Sequence, residues 1–270
     1  MKPLISHEIP SALFPYHDLI NNYPYVLAHL LGKNETYTTF YKQKLQEAEY
    51  SILDNSAFEL GKPIDGKLLL DLALEFQPTH IVIPDDLHNF EGTKQLCEKF
   101  NQLINNEKHP YAHTQLDDFK YIGVCQGKNI EEASECFDFF TRKEKIDIIA
   151  IPFDLFPDSD NITDRFRFLN HLYYNVFTKT LGNIKIHLLG CKNPVEFQLF
   201  KHSPIAPYIH SIDTSSPIVN GFVGNKLNEH GLTQPKPKEK LADNIDRELS
   251  TGDITNIIDN VIKFREYVNW

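Results

Sequence analysis

Several segments of this chain place acids or amides directly after short apolar runs. Tyr50 to Gly61 reads Y-S-I-L-D-N-S-A-F-E-L-G, so Ser51-Ile52-Leu53 runs into Asp54-Asn55-Ser56-Ala57. Thr79 to Pro84 runs into Asp85-Asp86, Phe119 to Cys125 into Gln126-Gly127, and Ile209 to Ile212 into Asp213-Thr214-Ser215-Ser216-Pro217. Two further runs end at Ile151-Pro152 and at Gly190. An acid in this position ends a strand just ahead of a helix N-terminus, where negative charge is favoured. Two carboxylates in different surroundings can divide the work of nucleophile and general acid or base. A third can read the hydrogen-bonding edge of a ligand, and the Gln126 amide, able to donate and accept, suits a nucleobase. Three acids are also the raw material of a Mg²⁺ site, and Asp54-Asn55-Ser56 alone is equally the composition of a helix cap. Repetition at successive strand ends favours the ligand reading.

The elements that position these residues follow from periodicity. Residues 1–23 show no clear period and read as an irregular lead-in. Tyr25 to Leu31, between Pro24 and Gly32, reads as a first strand and Asn34 to Ala48 as a helix. Pro63 opens a helix whose buried face carries Leu68, Leu69, Leu72 and Phe76. The runs at Thr79–Pro84, Phe119–Cys125, Ile146–Ile151, Lys185–Leu189 and Ile209–Ile212 read as strands. Helices are expected over Glu91–Asn105, Ile130–Arg142, Asn161–Leu181 and from Asn193-Pro194 through Lys201. Arg165, Arg167 and Lys179 are expected on a solvated face of the third, where Tyr173 and Tyr174 pack. His80, His187 and His210 lie inside strands and read as satisfied core histidines. Residues 218–240 read as a loop and 241–270 as a helical segment, with Ile254, Ile257, Ile258, Val261, Ile262 and Tyr267 as its stripe. Repeated strand-helix alternation predicts an α/β fold, a TIM-like (β/α)8 barrel in a single domain over 1–270. No G-x-G-x-x-G or P-loop follows a strand, which favours the barrel over a doubly wound sheet. Seven strands are placed and the eighth is not.

Composition narrows the function. A chain of 270 residues with 41% hydrophobic and 24% charged residues is long enough for a full core. No apolar run is long enough to span a bilayer, and M-K-P-L-I-S-H-E-I-P lacks the core of a secretory leader, so a cytoplasmic protein with no membrane partner is expected. The four cysteines, Cys97, Cys125, Cys136 and Cys191, are scattered without ligand spacing, so no zinc is expected. A net charge of −10 opposes polyanions at long range. Lys236, Lys238 and Lys240, with Lys226 upstream, form the one dense basic stretch, a candidate phosphate contact that is equally a solvated loop.

With these residues in view, the chain resembles the tRNA-guanine transglycosylases, the queuine and archaeosine base-exchange enzymes. Their barrel carries D-S-G-G-F-Q, D-E-C, V-Q-G-G and F-D-C-V-x-P-T-R. Here D-N-S-A-F-E at Asp54–Glu59, P-D-D-L at Pro84–Leu87, V-C-Q-G at Val124–Gly127 and I-D-T-S-S-P at Ile212–Pro217 look like these four in order, and H-L-L-G at His187–Gly190 like the strand before the nucleophile. The resemblance covers roughly residues 24–225. It implies Asp213 as nucleophile on the nucleoside C1′ and Asp54 as general acid/base. It also implies base contacts from Asn55, Asp85, Asp86, Gln126 and Gly127, with Phe58, Ile151, Pro152 and Gly190 lining the pocket. The family's C-x-C-x-x-C zinc subdomain and the T-R after Pro217 are missing. A zinc-free, short chain is closest to the phage and bacterial enzymes that place 7-deazaguanines such as preQ0 into DNA, so DNA is expected ahead of tRNA. A tRNA transglycosylase, a nucleosidase or DNA glycosylase with the same two aspartates, and a non-catalytic nucleic-acid-binding paralogue are the alternatives.

Overall fold

The computed structural model describes residues 2–105, 116, 118–157, 161–177, 184–191, 193–235, 237 and 239–269, with the backbone alone at 176 and 177. Its strands are β1 (Leu4–Ser6), β2 (Tyr25–Leu27), β3 (Ile52–Asp54), β4 (His80–Val82), β5 (Lys120–Val124), β6 (Ile146–Pro152), β7 (Lys185–Leu189) and β8 (Ile209–Asp213). They form one sheet in the order β1-β8-β7-β6-β5-β4-β3-β2, with a helix after each strand. The registered pairs are parallel. This is the (β/α)8 barrel that the alternation of apolar runs predicts. By internal contacts the chain divides into two compact units, Tyr23–Asp158, and Met1–Asn22 with Ser159–Trp270.

The unit Tyr23–Asp158 holds β2 to β6. Its strands are mostly apolar and largely buried, with Asp54, His80, Lys120 and Asp147 as their polar members, as suits parallel strands covered by helices. Local side chains begin its helices. Asn34 caps Glu35–Glu47, Asn89 caps Phe90–Ile104, and Asn129 caps Ile130–Thr141 by accepting from Glu132 N at 2.9 Å. The expected helix at Pro63 begins later, at Gly66, because Asp65 accepts from the amides of Lys67 and Leu68. Leu68 is exposed, and Leu69, Leu70, Leu72, Ala73 and Phe76 make the buried face. The strand expected over Tyr25–Leu31 stops at Leu27, where the chain tightens into a 3-10 turn, Ala28–Leu30.

The other unit holds β1, β7 and β8 and carries most of the corrections. The lead-in is not irregular: Leu4–Ser6 is the missing strand, paired with β8 in the register Ser6 to Asp213. The helix expected over Asn161–Leu181 is α-helical over Asp164–Leu172 and widens to a π turn at Tyr173–Phe177; Lys179 and the end of the expected span lie outside the described residues. The helix after Asn193-Pro194 is only Glu196–Phe200. Residues 218–240 are not a loop throughout. Ser216–Phe222 is a fully buried helix, and Leu227–Asn228 pairs with Gly231–Leu232 as a small hairpin. Three asparagines pin that region. Asn225 donates to Asn220 Oδ1 at 2.6 Å, and Asn260 donates to Asn225 O while accepting from Leu227 N. The C-terminal helix is Thr251–Tyr267, opened by a capping box between Ser250 and Asp253. Its buried stripe is Ile257, Asn260, Val261, Phe264 and Tyr267, and Ile262 faces solvent.

No helix among the described residues is long and apolar enough to cross a membrane.

Candidate functional site

In the unit Tyr23–Asp158 the ends of β3, β4 and β5 meet around Asp85. Asn55 Nδ2 donates to Asp85 Oδ1 at 2.7 Å, and Gln126 Nε2 donates to Oδ2 at 2.7 Å. Both amides are held by their other ends. Asn55 Oδ1 accepts from Ala57 N and its Nδ2 also donates to Ile83 O, while Gln126 Oε1 accepts from His88 N at 2.8 Å. Gln126 is therefore committed on both sides, its Nε2 to Asp85 and its Oε1 to His88 N. Burial pushes the Asp85 carboxyl up to about 6; the Asn55 and Gln126 donors pull against that shift, and the nearby Asp86 and Asp154 charges add to it.

The backbone here is bent to suit. Ser56 and His88 both take left-handed conformations, at φ +63° and +57°, which non-glycine residues rarely adopt. Such outliers concentrate at functional sites because the surrounding structure must hold them. At Ser56 the holding is visible: Asp54 Oδ2 accepts its N–H at 2.7 Å, and its Oγ accepts from His29 N. Asp54 and Asn55 thus make turn bonds of the kind that the helix-cap reading expects, and Asn55 also supports Asp85. The His88 ring closes the group, donating from Nε2 to Asp154 O at 2.7 Å.

Other expected contacts in this unit stand apart. Asp86 accepts from Asn89 Nδ2 at 2.7 Å and works at the start of the helix Phe90–Ile104. Gly127 seats the next helix, since a Cβ there would strike the backbone at Ala133. Ile151 and Pro152 end β6 in buried positions. Phe58 is exposed, edge-on to Phe153 at 5.6 Å.

In the unit Met1–Asn22 with Ser159–Trp270 the centre is Asp213, at the end of β8 and 2% exposed. Two donors converge on one of its oxygens. His187 Nε2 lies 2.9 Å from Oδ1, and Gly190 N donates to the same atom at 3.1 Å. Oδ2 has neither donor. The other His187 nitrogen, Nδ1, lies 2.9 Å from Ser211 Oγ. A neutral imidazole with its proton on Nε2 satisfies both, accepting from Ser211 and donating to Asp213. The chain Ser211–His187–Asp213 has the members of a hydrolase triad but the wrong depth. Ser211 is fully buried two residues inside the strand, and the carboxylate is the member at the tip.

Behind β7 lies a buried ion pair. Arg165, expected on a solvated face, is 1% exposed and meets Glu196 with two bonds, Nε to Oε2 at 3.2 Å and Nη2 to Oε1 at 2.6 Å. Its Nη1 donates to Leu189 O and Gly190 O at 3.2 and 3.1 Å. Burial pushes Glu196 up while the Arg165 charge opposes that shift. On the opposite side of β8, His7 donates from Nδ1 to Thr214 O at 3.0 Å, and burial lowers its pKa to about 3.

Sequence reading missed His7, His187, Ser211, Arg165 and Glu196 as parts of this site. One signal was present for Ser211: strand alternation puts residues 211 and 213 on one face. The basic stretch gives less. Lys226 and Lys240 are exposed, Lys226 beside the pinned hairpin, and Lys236 and Lys238 lie outside the described residues. The four cysteines are buried thiols, and among the described residues no group of three acids, histidines or cysteines could hold a metal ion. No protein family and no curated protein matches the chain.

Proposed function

We propose that this chain is a base-exchange transglycosylase that replaces guanine in DNA with a 7-deazaguanine through a glycosyl-aspartate intermediate. The observation that carries the reading is the Asp213 carboxylate, with Oδ1 held by two N–H donors and Oδ2 left to react. Such a group is a fixed nucleophile, since orientation is supplied before the substrate arrives. The motif resemblance from Asp54 to Pro217 supplies the substrate class. In the proposed reaction Asp213 Oδ2 forms a bond to C1′ as the bond from C1′ to guanine N9 breaks. The electron pair leaves with the base, which takes a proton from Asp54 or from water. The incoming 7-deazaguanine gives up a proton by the same route, attacks C1′ and releases Asp213. Asp85, flanked by the Asn55 and Gln126 amides, accepts from the donor edge of the base.

DNA is preferred to tRNA in this reading because the zinc subdomain and the T-R after the nucleophile motif are missing from the sequence. The base must leave the duplex stack to react, so single-stranded or flipped guanine is the substrate form.

The test is to incubate the protein with guanine-containing DNA or tRNA and labelled guanine or 7-deazaguanine. The readouts are exchange and a denaturation-resistant protein–nucleic acid adduct. Exchange into DNA, with an adduct that disappears in Asp213→Ala, is expected. Asp85→Ala should retain a slow adduct and lose base affinity by about 10- to 100-fold, the cost of unpaired ligand donors. An adduct undiminished in Asp213→Ala would remove the proposed nucleophile.

A further inference from the structure

The Arg165–Glu196 pair poses a physical question. Both side chains are almost wholly buried, and taking two charges out of water costs several kcal/mol each, which their attraction repays only with good geometry. Buried pairs of this kind are often neutral or worse for stability than apolar residues of the same volume. What Arg165 touches besides Glu196 accounts for its place. Its Nη1 donates to Leu189 O, and the peptide that bears this oxygen also bears the Gly190 N–H. In a trans peptide the C=O and N–H point in opposite directions. One edge of the 189–190 peptide is thus fixed by Arg165 and the other meets Asp213 Oδ1 at 3.1 Å. The second carbonyl that Arg165 holds is that of Gly190 itself, which is in a left-handed conformation at φ +68°. Left to itself a glycine in a turn can rotate its flanking peptides at little cost. Here the guanidinium fork, oriented by its two-bond contact with Glu196, holds both carbonyls on either side of that residue.

We infer that Arg165 and Glu196 clamp the 189–190 peptide plane so that Gly190 N–H stays on Asp213 Oδ1, which makes Arg165 a positioning residue for the Asp213 carboxylate. A point charge cannot replace it, because the planar fork is what spans a carboxylate and two carbonyls at once. The consequence for chemistry rests on the reading of Asp213 as nucleophile; the clamp itself does not.

Two variants test it. Arg165→Met with Glu196→Leu removes both charges and keeps the apolar volume, so the fold is expected to survive. Arg165→Lys keeps the charge opposite Glu196 and loses the fork. In both, exchange of the Gly190 amide proton, followed by NMR, should accelerate at least about 10-fold while Ile186 and Leu188 keep their protection. Formation of the Asp213 adduct should slow by about 100-fold, the order of loss for a misplaced reacting group, with the affinity for free guanine unchanged. A purely structural pair would instead leave Gly190 protection and the adduct rate of the folded variants at wild-type values, and that result overturns the clamp. If the wild-type protein forms no adduct with any nucleic acid, the proposed function fails, and Gly190 exchange still decides the clamp. Wild-type exchange at Gly190 in either folded variant is the outcome that rejects it.

Discussion

Burial sets Asp85 against the stability of its own fold. In the unfolded chain an aspartate gives up its proton near 3.8, whereas Asp85 keeps its proton to about 6. Between those values the folded state binds more protons than the unfolded state, so stability falls as pH rises. The contribution is fully present below 3.8 and lost above about 6, and a shift of this size is worth on the order of 3 kcal/mol. Comparing thermal unfolding of wild type and Asp85→Asn should show the wild type losing ground steadily between pH 4 and 6. A difference that stays flat across that window would mean that Asp85 is not perturbed by the fold. His7 has the opposite sign. Its pKa is lowered to about 3, so its contribution is present above 6.5 and disappears as pH falls from there. The carboxylate that the proposed base contact requires is thus the form of Asp85 the fold tolerates least, a cost borne at a site and not in the core at large.

Between the side chain and the barrel, the helices show why the sequence was legible in some places and misread in others. The strand ends were legible because apolar runs stop abruptly at acids and amides, and the structure ends β3 at Asp54 and β8 at Asp213. Asn129 and Asn34 were read correctly as helix starts because capping is a local interaction. At Arg165 the charge points to solvent while the position points to the core. It stands at i with Phe168, Leu169 and Leu172 at i+3, i+4 and i+7, all buried, while Arg167 lies off that stripe and is exposed. Most of the helix Ser216–Phe222 falls in the expected loop 218–240 because Asn220 and Gly221 look like turn residues. Their use is tertiary: a Cβ on Gly221 would run into Ile257, with the backbone Cα of that residue only 3.0 Å away. Gly221→Ala should therefore destabilise the protein by about 1–3 kcal/mol, measured by denaturant unfolding, although alanine is the better helix former. A stabilised variant would show that the two helices can part without cost. The three-residue strand Leu4–Ser6 offered no period to read, since its place is fixed by pairing with β8.

Across the entire chain, the net charge of −10 makes any hold on DNA a local matter. If Lys236, Lys238 and Lys240 supply phosphate contacts, changing all three to Ala should weaken DNA binding equally for all sequences and flatten its salt dependence by up to about three counterions. Unchanged affinity and slope would assign these lysines to solvent. The thiols have a use of a different kind. Cys97, Cys125 and Cys136 belong to the unit Tyr23–Asp158 and Cys191 to the other, all of them buried. Burial also pushes the Cys97 thiol up to about 11 and raises Cys125. An alkylating reagent meets none of them until the chain opens, because all four sulfurs are buried and, at Cys97 and Cys125, the reactive thiolate is also disfavoured. The chain therefore carries its own clock for breathing motions: the order in which peptides bearing these four sulfurs take up label would tell whether the two units each unfold at the same time or one before the other.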